Sequence, residues 1–336
     1  MRNQIFIPAN AERENDLFTS WGIQEPLVNA GYSPGLMLVL YGGILGVTKH
    51  RDIQYENLWK LKNVYGELPV IVMLSNIPIA EIDFLNNTQH AIAYAKSAVD
   101  FTNEIPIGGR KIVTFHLHAL VTEKAFLEKS KQEWIEVFRK TIHPALLEVC
   151  AYSNQENVEV KIETVPVPEW GDIPDHDHRV YHGVHLNTLR DPFYLTGLWG
   201  FDLIRETGLG ICLDICHNQT IYVTARKGES IGILHSSEIH LLKNRTVIDD
   251  IHSLNKKDIV HLNDGSGMFS KKAGTIFKEG VALGDGEIKE LDQAIALLDQ
   301  KQIPYALEVY DDGDYVNRPH TQKSINYLTN PVKSLS

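Results

Sequence analysis

The sequence is poor in cysteine and has no long apolar run, and both shortages narrow the classes of protein to consider. Its three cysteines, Cys150, Cys212 and Cys216, form neither an even disulfide framework nor a CxxC pair. No stretch approaches the roughly 18 apolar residues that a membrane-spanning helix needs. The start, MRNQIFIPANAEREND, lacks the apolar segment of a secretory signal. We therefore expect a cytoplasmic protein with no membrane partner.

Glycine-rich phosphate loops and flexible linkers are also missing. The first apolar segment, IFIPANAE, contains no glycine where a doubly wound sheet would carry its phosphate loop, and no P-loop occurs elsewhere. We therefore expect no nucleotide cofactor. Because no tract rich in proline, glycine or serine divides the chain, we predict a single domain over residues 1–336. The net charge of −11 argues mildly against nucleic acid as a partner.

Short apolar runs alternate with helical patterns along the whole chain. The runs are rich in β-branched residues, and amphipathic segments such as TQHAIAYAKSAVDFTNE lie between them. From the fourth run onward the starts are about 45–50 residues apart, which fits an α/β fold of the (β/α)8 TIM barrel type. An open doubly wound sheet is the alternative. The eight predicted strands lie in QIFIPA, LMLVLYGG, PVIVMLSN, KIVTFHLHA, VEVKIETVP, GICLDICHN, DIVHLNDG and YALEVYDDG.

Two long loops are expected on the face formed by the carboxyl ends of the strands. They run from about Pro166 to Leu198, after the fifth strand, and from about Asn218 to Lys256, after the sixth. Enzymes with this fold place their active sites on that face. We therefore interpret both loops as lid or specificity elements.

Polar residues stand at the ends of several apolar runs, where a buried strand should have none. In KIVTFHLH the two-residue period places Val113 and Phe115 toward the helices and His116 toward the barrel axis. Carboxyl ends of barrel strands meet at one mouth, so inward side chains near these ends should converge there. The same period turns one such side chain inward on each of the next four strands: Glu163, Asp214, His261 and Glu308.

A cluster of three carboxylates and one imidazole calls for a cation. Each residue alone would more often be a buried structural group with a hydrogen bond or an ion pair. Three carboxylates so close together cannot all stay ionised without positive charge beside them. The ligand set suits one divalent ion, with Mn²⁺ preferred and Zn²⁺, Mg²⁺ or Co²⁺ as alternatives. His116 and His217 are candidates for a substrate contact or a second metal ion.

The motif GICLDICHN followed by HLND, with LGDGEI before the last helix, resembles the xylose isomerase-like barrel superfamily. This superfamily includes sugar isomerases and epimerases and the endonuclease IV family, and the resemblance extends from about VTFHLH to YALEVYD. It implies that Glu163, Asp214, His261 and Glu308 are shared metal ligands. It also implies a substrate contact for Glu169, which stands six residues after the first of them.

The sequence departs from both branches of this superfamily. An arginine that the epimerases carry six residues after the metal histidine is replaced by Gly267. Endonuclease IV builds a three-metal cluster, and the single-metal site is the part that is complete here, which favours an isomerase or epimerase. The positions where endonuclease IV has an early histidine and an Asp-x-His pair hold other residues: Ser75, Asn76, Lys278 and Gly280.

We therefore expect a metal-dependent isomerase or epimerase of a sugar, a sugar phosphate or a related polyhydroxy carbonyl compound. Glu163 and Glu308 would transfer a proton through an enediolate, while Asp214 and His261 hold the metal ion. The alternatives are an AP endonuclease-like phosphodiester hydrolase and a non-catalytic barrel that binds a metabolite, and a homo-oligomer is compatible with each. The other candidates are the substrate contacts His116, Glu169 and His217 and two residues that would orient His261, Asn263 and Asp264.

Overall fold

Eight parallel strands close into a barrel in the computed structural model. Each strand pairs with the next one along the chain, and β8 pairs with β1, so the predicted (β/α)8 class is confirmed. The structure describes residues 2–41, 50–75, 83–167, 180–181, 184–185, 189–227, 232–266 and 278–330. The barrel strands are β1 (Gln4–Ala9), β2 (Ser33–Tyr41), β3 (Val70–Ser75), β4 (Lys111–His116), β5 (Glu159–Glu163), β6 (Gly210–Asp214), β7 (Ile259–Leu262) and β8 (Tyr305–Leu307).

Helices surround the barrel. None of those in the described ranges is long and apolar enough to cross a bilayer. Their apolar faces pack with the outward side chains of the strands in one large core. The helices are Glu14–Gly22, Glu25–Asn29, Arg51–Tyr65, Thr88–Glu104, Glu123–Glu128, Lys131–Val137, Phe138–Ile142 (a π-helix), His143–Gln155, Gly200–Arg205, Ile215–Lys227, Ile239–Leu242, Val247–Ser253, Leu291–Lys301 and Pro319–Thr329.

The two-residue period of the strands divides the core as expected. Val113 and Phe115 of β4 belong to the outer core, whereas Ile112 of the same strand faces the axis. The inward residues form a separate apolar layer inside the barrel, made of Phe6, Met37, Ile71, Met73, Ile112, Cys212, Ile259 and Ala306. Positions two residues beyond this layer reach the mouth, which is where the polar side chains lie.

The prediction of a loop from Asn218 to Lys256 is wrong over much of that range. A helix, Ile215–Lys227, begins directly after β6, and two shorter helices follow it. The segment looks like a loop because it is polar, but its polar side chains have partners in the core. The side chain of Asn218 donates to the Leu195 carbonyl at 3.2 Å and to Asp250 at 2.8 Å. Buried polar residues with such partners are compatible with a packed helix.

The connection after β5 contains short strand pairs in its described part. Val180–Tyr181 pairs with Val184–His185, and Leu189–Arg190 pairs with Val121–Thr122, which follows β4. No helix occurs in the described residues between Glu163 and Gly200. This part of the chain therefore agrees with the predicted long loop from Pro166 to Leu198.

Candidate metal centre

Four side chains from four adjacent strands meet at the barrel mouth. Glu163 ends β5, Asp214 ends β6, His261 lies on β7 and Glu308 follows β8. One potential ligand atom from each lies within 4.8 Å of those of the other three. Glu163, Asp214 and His261 are fully buried, and Glu308 is 6% exposed. The structure therefore brings together all four residues of the predicted ligand set, with the two glutamates at opposite ends of the row.

The imidazole of His261 lies between the two glutamates. Its Nδ1 is 2.9 Å from Oε1 of Glu163 and 3.0 Å from Oε2 of Glu308. Burial alone would raise the pKa of Glu163, but the charges of His261 and His116 hold it well below its usual range. Burial raises the pKa of Glu308 to about 8, against the opposing effect of His261. Two neighbouring carboxyl groups therefore favour opposite protonation states near neutral pH.

Three hydrogen bonds fix Asp214. The side chain of Asn263 donates to Oδ2 at 2.8 Å, the backbone N–H of His217 donates to Oδ1 at 2.8 Å, and the backbone N–H of Asp214 donates to Thr164 Oγ1 at 3.0 Å. Burial raises the pKa of Asp214, but the charge of His217 and other neighbours bring it below its usual value. A carboxylate held in this way is ionised and rigid, as a metal ligand should be.

The predicted orienting roles of Asn263 and Asp264 need correction. Asn263 orients Asp214, and its Oδ1 accepts the backbone N–H of Cys216 at 3.3 Å. The carboxylate of Asp264 accepts the backbone N–H groups of Gly284, Gly286 and Ile288 at 3.0–3.2 Å, so it anchors the LGDGEI loop. Neither side chain makes a described bond to His261. The period of a strand predicts which residues face inward, but it does not predict their partners.

Both ring nitrogens of His217 act as donors. Nδ1 lies 2.8 Å from the Thr164 carbonyl oxygen, and Nε2 lies 2.8 Å from Oε2 of Glu279. A carbonyl oxygen only accepts hydrogen bonds, and an ionised carboxylate does the same, so the ring carries both protons. Burial opposes this charge, but Asp214 and Glu279 raise the pKa of His217 to about 10. The ring is therefore held as a cation between its two acceptors.

Glu279 is a site residue that sequence reasoning missed. It lies on Lys278–Val281, which pairs with Asp264–Ser266 in a small antiparallel sheet, and Tyr310 donates to its Oε1 at 3.3 Å. Nothing in the strand period of FKEGVALGDG indicates that this glutamate faces the mouth. A chemical argument could have indicated it. His217 stands next to a buried aspartate, and its second ring nitrogen still needs a hydrogen-bond partner.

Of the remaining predicted residues, the structure describes the side chain of His116 but not that of Glu169. His116 lies at the mouth, with Nε2 3.3 Å from Oε1 of Glu163 and its ring centroid 5.4 Å from that of His217. His118 is buried beside it, at 5.4 Å between ring centroids. Other predictions fall outside the described residues or side chains: Glu169, Gly267, Ser75 and Asn76.

The donor set fits a divalent cation. Oε2 of Glu163 and Nε2 of His261 are buried, and neither makes a hydrogen bond with the described part of the chain. Buried polar atoms without partners are costly, and these two face a cluster of three carboxylates. Carboxylate oxygens and an imidazole are ligands for Mn²⁺, Mg²⁺, Co²⁺ or Zn²⁺. Glu163, Asp214, His261 and Glu308 could hold such an ion together.

A cavity of about 120 Å³ opens beside Glu308. Arg318 is part of its wall, but Asp16 accepts its Nε–H at 2.7 Å and Asp311 accepts its Nη1–H at 3.4 Å. Two carboxylates therefore compensate this guanidinium. Apolar and aromatic side chains supply much of the remaining wall: Pro8, Met37, Val39, Tyr310 and Tyr315.

No family model and no curated protein matches the sequence, but solved structures match over nearly its whole length. An L-ribulose 3-epimerase has a TM-score of 0.54 at 12% identity, covering 98% of this chain and 93% of its own. A D-allulose 3-epimerase from Methylomonas sp., in complex with D-allulose, has 0.53 at 11%, covering 98% and 97%. A D-tagatose 3-epimerase-like protein has 0.51 at 14%, covering 98% of both chains.

This chain has the barrel fold of the sugar 3-epimerases. The resemblance to xylose isomerase-like barrels, first suggested by GICLDICHN and HLND, is thereby confirmed at the level of the fold. Unrelated reactions are catalysed on barrels of this kind, so the fold alone does not give the reaction. That argument has to come from the side chains at the mouth.

Proposed function

We propose that this protein is a metal-dependent epimerase or isomerase of a sugar or a related polyhydroxy carbonyl compound. The observation that carries the proposal is the convergence of Glu163, Asp214, His261 and Glu308 within 4.8 Å at the ends of adjacent strands. The fold shared with sugar 3-epimerases supports the choice of sugars as the first substrates to test.

The two glutamates have the properties of an acid and base pair. When bound, a divalent ion supplies Lewis-acid polarisation of a carbonyl group, which acidifies the adjacent C–H bond. A carboxyl group can accept or donate a proton at the substrate carbon, and the ligand atoms of Glu163 and Glu308 both lie in the cluster that could hold the ion. Because they stand at opposite ends of the row of four strands, removal and return of a proton can occur on opposite faces of one carbon. This arrangement suits inversion at a carbon next to a carbonyl group.

The other residues have supporting roles in this proposal. Asp214 and His261 hold the metal ion, with Asn263 fixing the aspartate. His217 is a hydrogen-bond donor and a positive charge, and Glu279 holds its ring. His116 and Glu169 remain the proposed contacts to substrate hydroxyl groups.

A phosphodiester hydrolase of the endonuclease type is less well supported. Such chemistry uses two or more metal ions to stabilise the attacking and leaving oxygens. The ligand atoms of His116, Glu163 and His217 lie within 4.8 Å of one another, but Lys278 and Gly280 occupy the positions where endonuclease IV carries its Asp-x-His pair. A non-catalytic barrel is also less well supported, because binding a metabolite requires no two glutamates at one metal centre.

The test combines metal content with proton exchange. Protein purified without added metal is analysed for bound metal, and solvent deuterium uptake is followed in a panel of ketoses and aldoses. We expect about one divalent ion per chain and stereospecific exchange in at least one sugar. Two or three ions per chain, or no exchange in metal-saturated protein, would count against the proposal.

Two variants separate binding of the metal ion from proton transfer. We expect Glu308→Gln to lose about 10²–10⁴-fold in rate even at saturating Mn²⁺, because an amide cannot accept or donate the proton as a carboxyl group does. Excess Mn²⁺ should partly restore His261→Ala, since that residue only binds the ion. The exposed Glu206→Gln is the matched control and should keep the parent rate. Rescue of Glu308→Gln by metal would show that Glu308 is a ligand only.

A further inference from the structure

A basic groove lies at the opposite end of the barrel from the metal centre. It has a volume of about 650 Å³ and is formed where β4, β5, β6 and the approach to β7 begin. We call it the basal groove. Its charged lining consists of five cations and one carboxylate: Arg110, Lys111, Lys161, Lys256, Lys257 and Glu159. The excess of positive charge is unusual in a chain whose net charge is −11.

Lys161 is the buried element of this groove. It is only 4% exposed, and the two-residue period turns it toward the barrel axis, like Glu163 two positions later. Its aliphatic stem passes the backbone of β6 at Gly210, where a Cβ would lie 2.6 Å from Cδ of the lysine. The glycine therefore leaves the space that the lysine occupies.

The carboxylate beside Lys161 is shared by two cations. Glu159 accepts Lys161 Nζ at 2.7 Å and binds Arg110 through both oxygens, at 2.7 and 2.9 Å. The next acidic residue, Asp258, is used elsewhere, because it accepts Arg205 at 2.7 Å and the backbone N–H of Ile211 at 2.9 Å. The triad therefore holds two cations and one carboxylate. Burial lowers the pKa of Lys161, so an anion bound beside it would stabilise its charged form.

Further positive charge stands at the edge of the groove. Lys256 and Lys257 are exposed, and neither has an acidic partner in the ranges that the structure describes. Lys111 contributes less, because its ammonium donates to the Asn103 and Ile105 carbonyls at 2.5 and 3.2 Å. Lys256 and Lys257 thus line the same groove as the buried lysine.

We propose that the basal groove binds a small anion with two or more phosphate groups, such as a diphosphorylated metabolite. Lysine and arginine are the usual partners of phosphate, and a buried lysine beside exposed lysines provides several charge-assisted donors. The volume lies within the range of about 300–1,000 Å³ that is typical of small-molecule sites. The groove lies between the starts of the strands and the end of the helix His143–Gln155, and its limited volume favours a small ligand over a nucleic acid. The proposal is independent of the chemistry at the mouth.

The test uses inorganic pyrophosphate as the probe, with binding measured by calorimetry at several KCl concentrations. We expect one saturable site per chain whose affinity falls with salt. The double variant Lys256→Gln/Lys257→Gln should weaken binding by about tenfold or more, since each lost charge-assisted contact costs several-fold in affinity. Lys161→Met keeps the aliphatic stem and should have a similar effect. The matched control, Lys124→Gln/Lys243→Gln, removes the same charge from exposed positions elsewhere.

The outcomes distinguish the proposal from its alternatives. Absence of saturable binding at millimolar pyrophosphate would overturn it. Equal weakening in the groove variants and in the control would also overturn it, because the effect would then come from net charge. Tighter binding of a 20-nucleotide DNA than of pyrophosphate, lost in the groove double variant, would reject the small ligand. Thermal unfolding checks that Lys161→Met is folded. If it is not, the binding measured for Lys256→Gln/Lys257→Gln decides whether the groove is the site.

Discussion

Replacing Glu308 by glutamine should stabilise the metal-free protein while abolishing turnover. Burial raises the pKa of this carboxyl group from its usual 4.5 to about 8. The unfolded chain therefore releases the proton at a lower pH than the folded chain does. Stability is greatest below pH 4.5 and falls as the pH rises toward 8, because ionisation favours the unfolded state over that window. Glutamine has nearly the same shape and does not ionise, so the variant does not lose stability over this pH range.

The size of the effect follows from the two pKa values. Each pH unit above 4.5 costs the parent protein about 1.4 kcal/mol until the folded carboxyl group also ionises near pH 8. Glu308→Gln should therefore exceed the parent in free energy of unfolding by about 1 kcal/mol at pH 5 and about 3 kcal/mol at pH 7. A stabilising substitution that destroys activity is what a carboxyl group retained for chemistry should give.

Urea unfolding in the presence of a chelator measures this directly. Parent, Glu308→Gln and the surface control Glu206→Gln are compared at pH 5 and pH 7, with the slope of each transition checked for two-state behaviour. The control should differ from the parent by less than about 1 kcal/mol at both pH values. If Glu308→Gln is less stable than the parent at pH 7, then Glu308 is an ionised structural partner of His261 and the reasoning fails.

Three further outcomes are expected. Asn263→Ala should lower Mn²⁺ affinity about 10–100-fold in calorimetric titration, because Asp214 loses the donor that orients it; unchanged affinity would assign Asn263 to packing alone. Glu279→Gln should raise KM about tenfold with little change in kcat, because the amide binds the His217 imidazolium less strongly; a fall in kcat alone would place Glu279 in proton transfer. Metal-replete protein should not cleave an abasic-site duplex, and robust cleavage would reverse the ranking of the two enzyme classes.

The sequence predicts the parts of this protein that depend on local periodicity. Seven of the eight barrel strands lie within the predicted segments, and β2 begins three residues before its segment. The inward phase of Glu163 and Asp214 follows from alternation along each strand. The period sufficed because it decides which side chains of a strand turn toward the barrel axis. The mouth of a closed barrel then brings those ends together.

The parts that depend on contacts between distant segments could not be predicted. The helix Ile215–Lys227 contains a polar start that resembles a loop, and it is stable because Asn218 finds Asp250 on another helix. The pairing of Glu279 with His217 joins residues from a hairpin and a helix that share no pattern. Partners of this kind are determined by tertiary packing, which overrides the local preference of a segment for helix, strand or loop.

Strand β5 shows why a cation at the mouth is the simplest account of the site. Its inward positions are Glu159, Lys161 and Glu163, so opposite charges alternate along one face. At the base Glu159 is neutralised by a lysine and an arginine. At the mouth Glu163 is fully buried, and its cationic neighbours are the imidazole of His116 and that of His261, which it shares with Glu308. A buried carboxylate left without compensation costs several kcal/mol, and Asp214 adds a further negative charge beside it. A divalent ion held by Glu163, Asp214, His261 and Glu308 would supply that compensation.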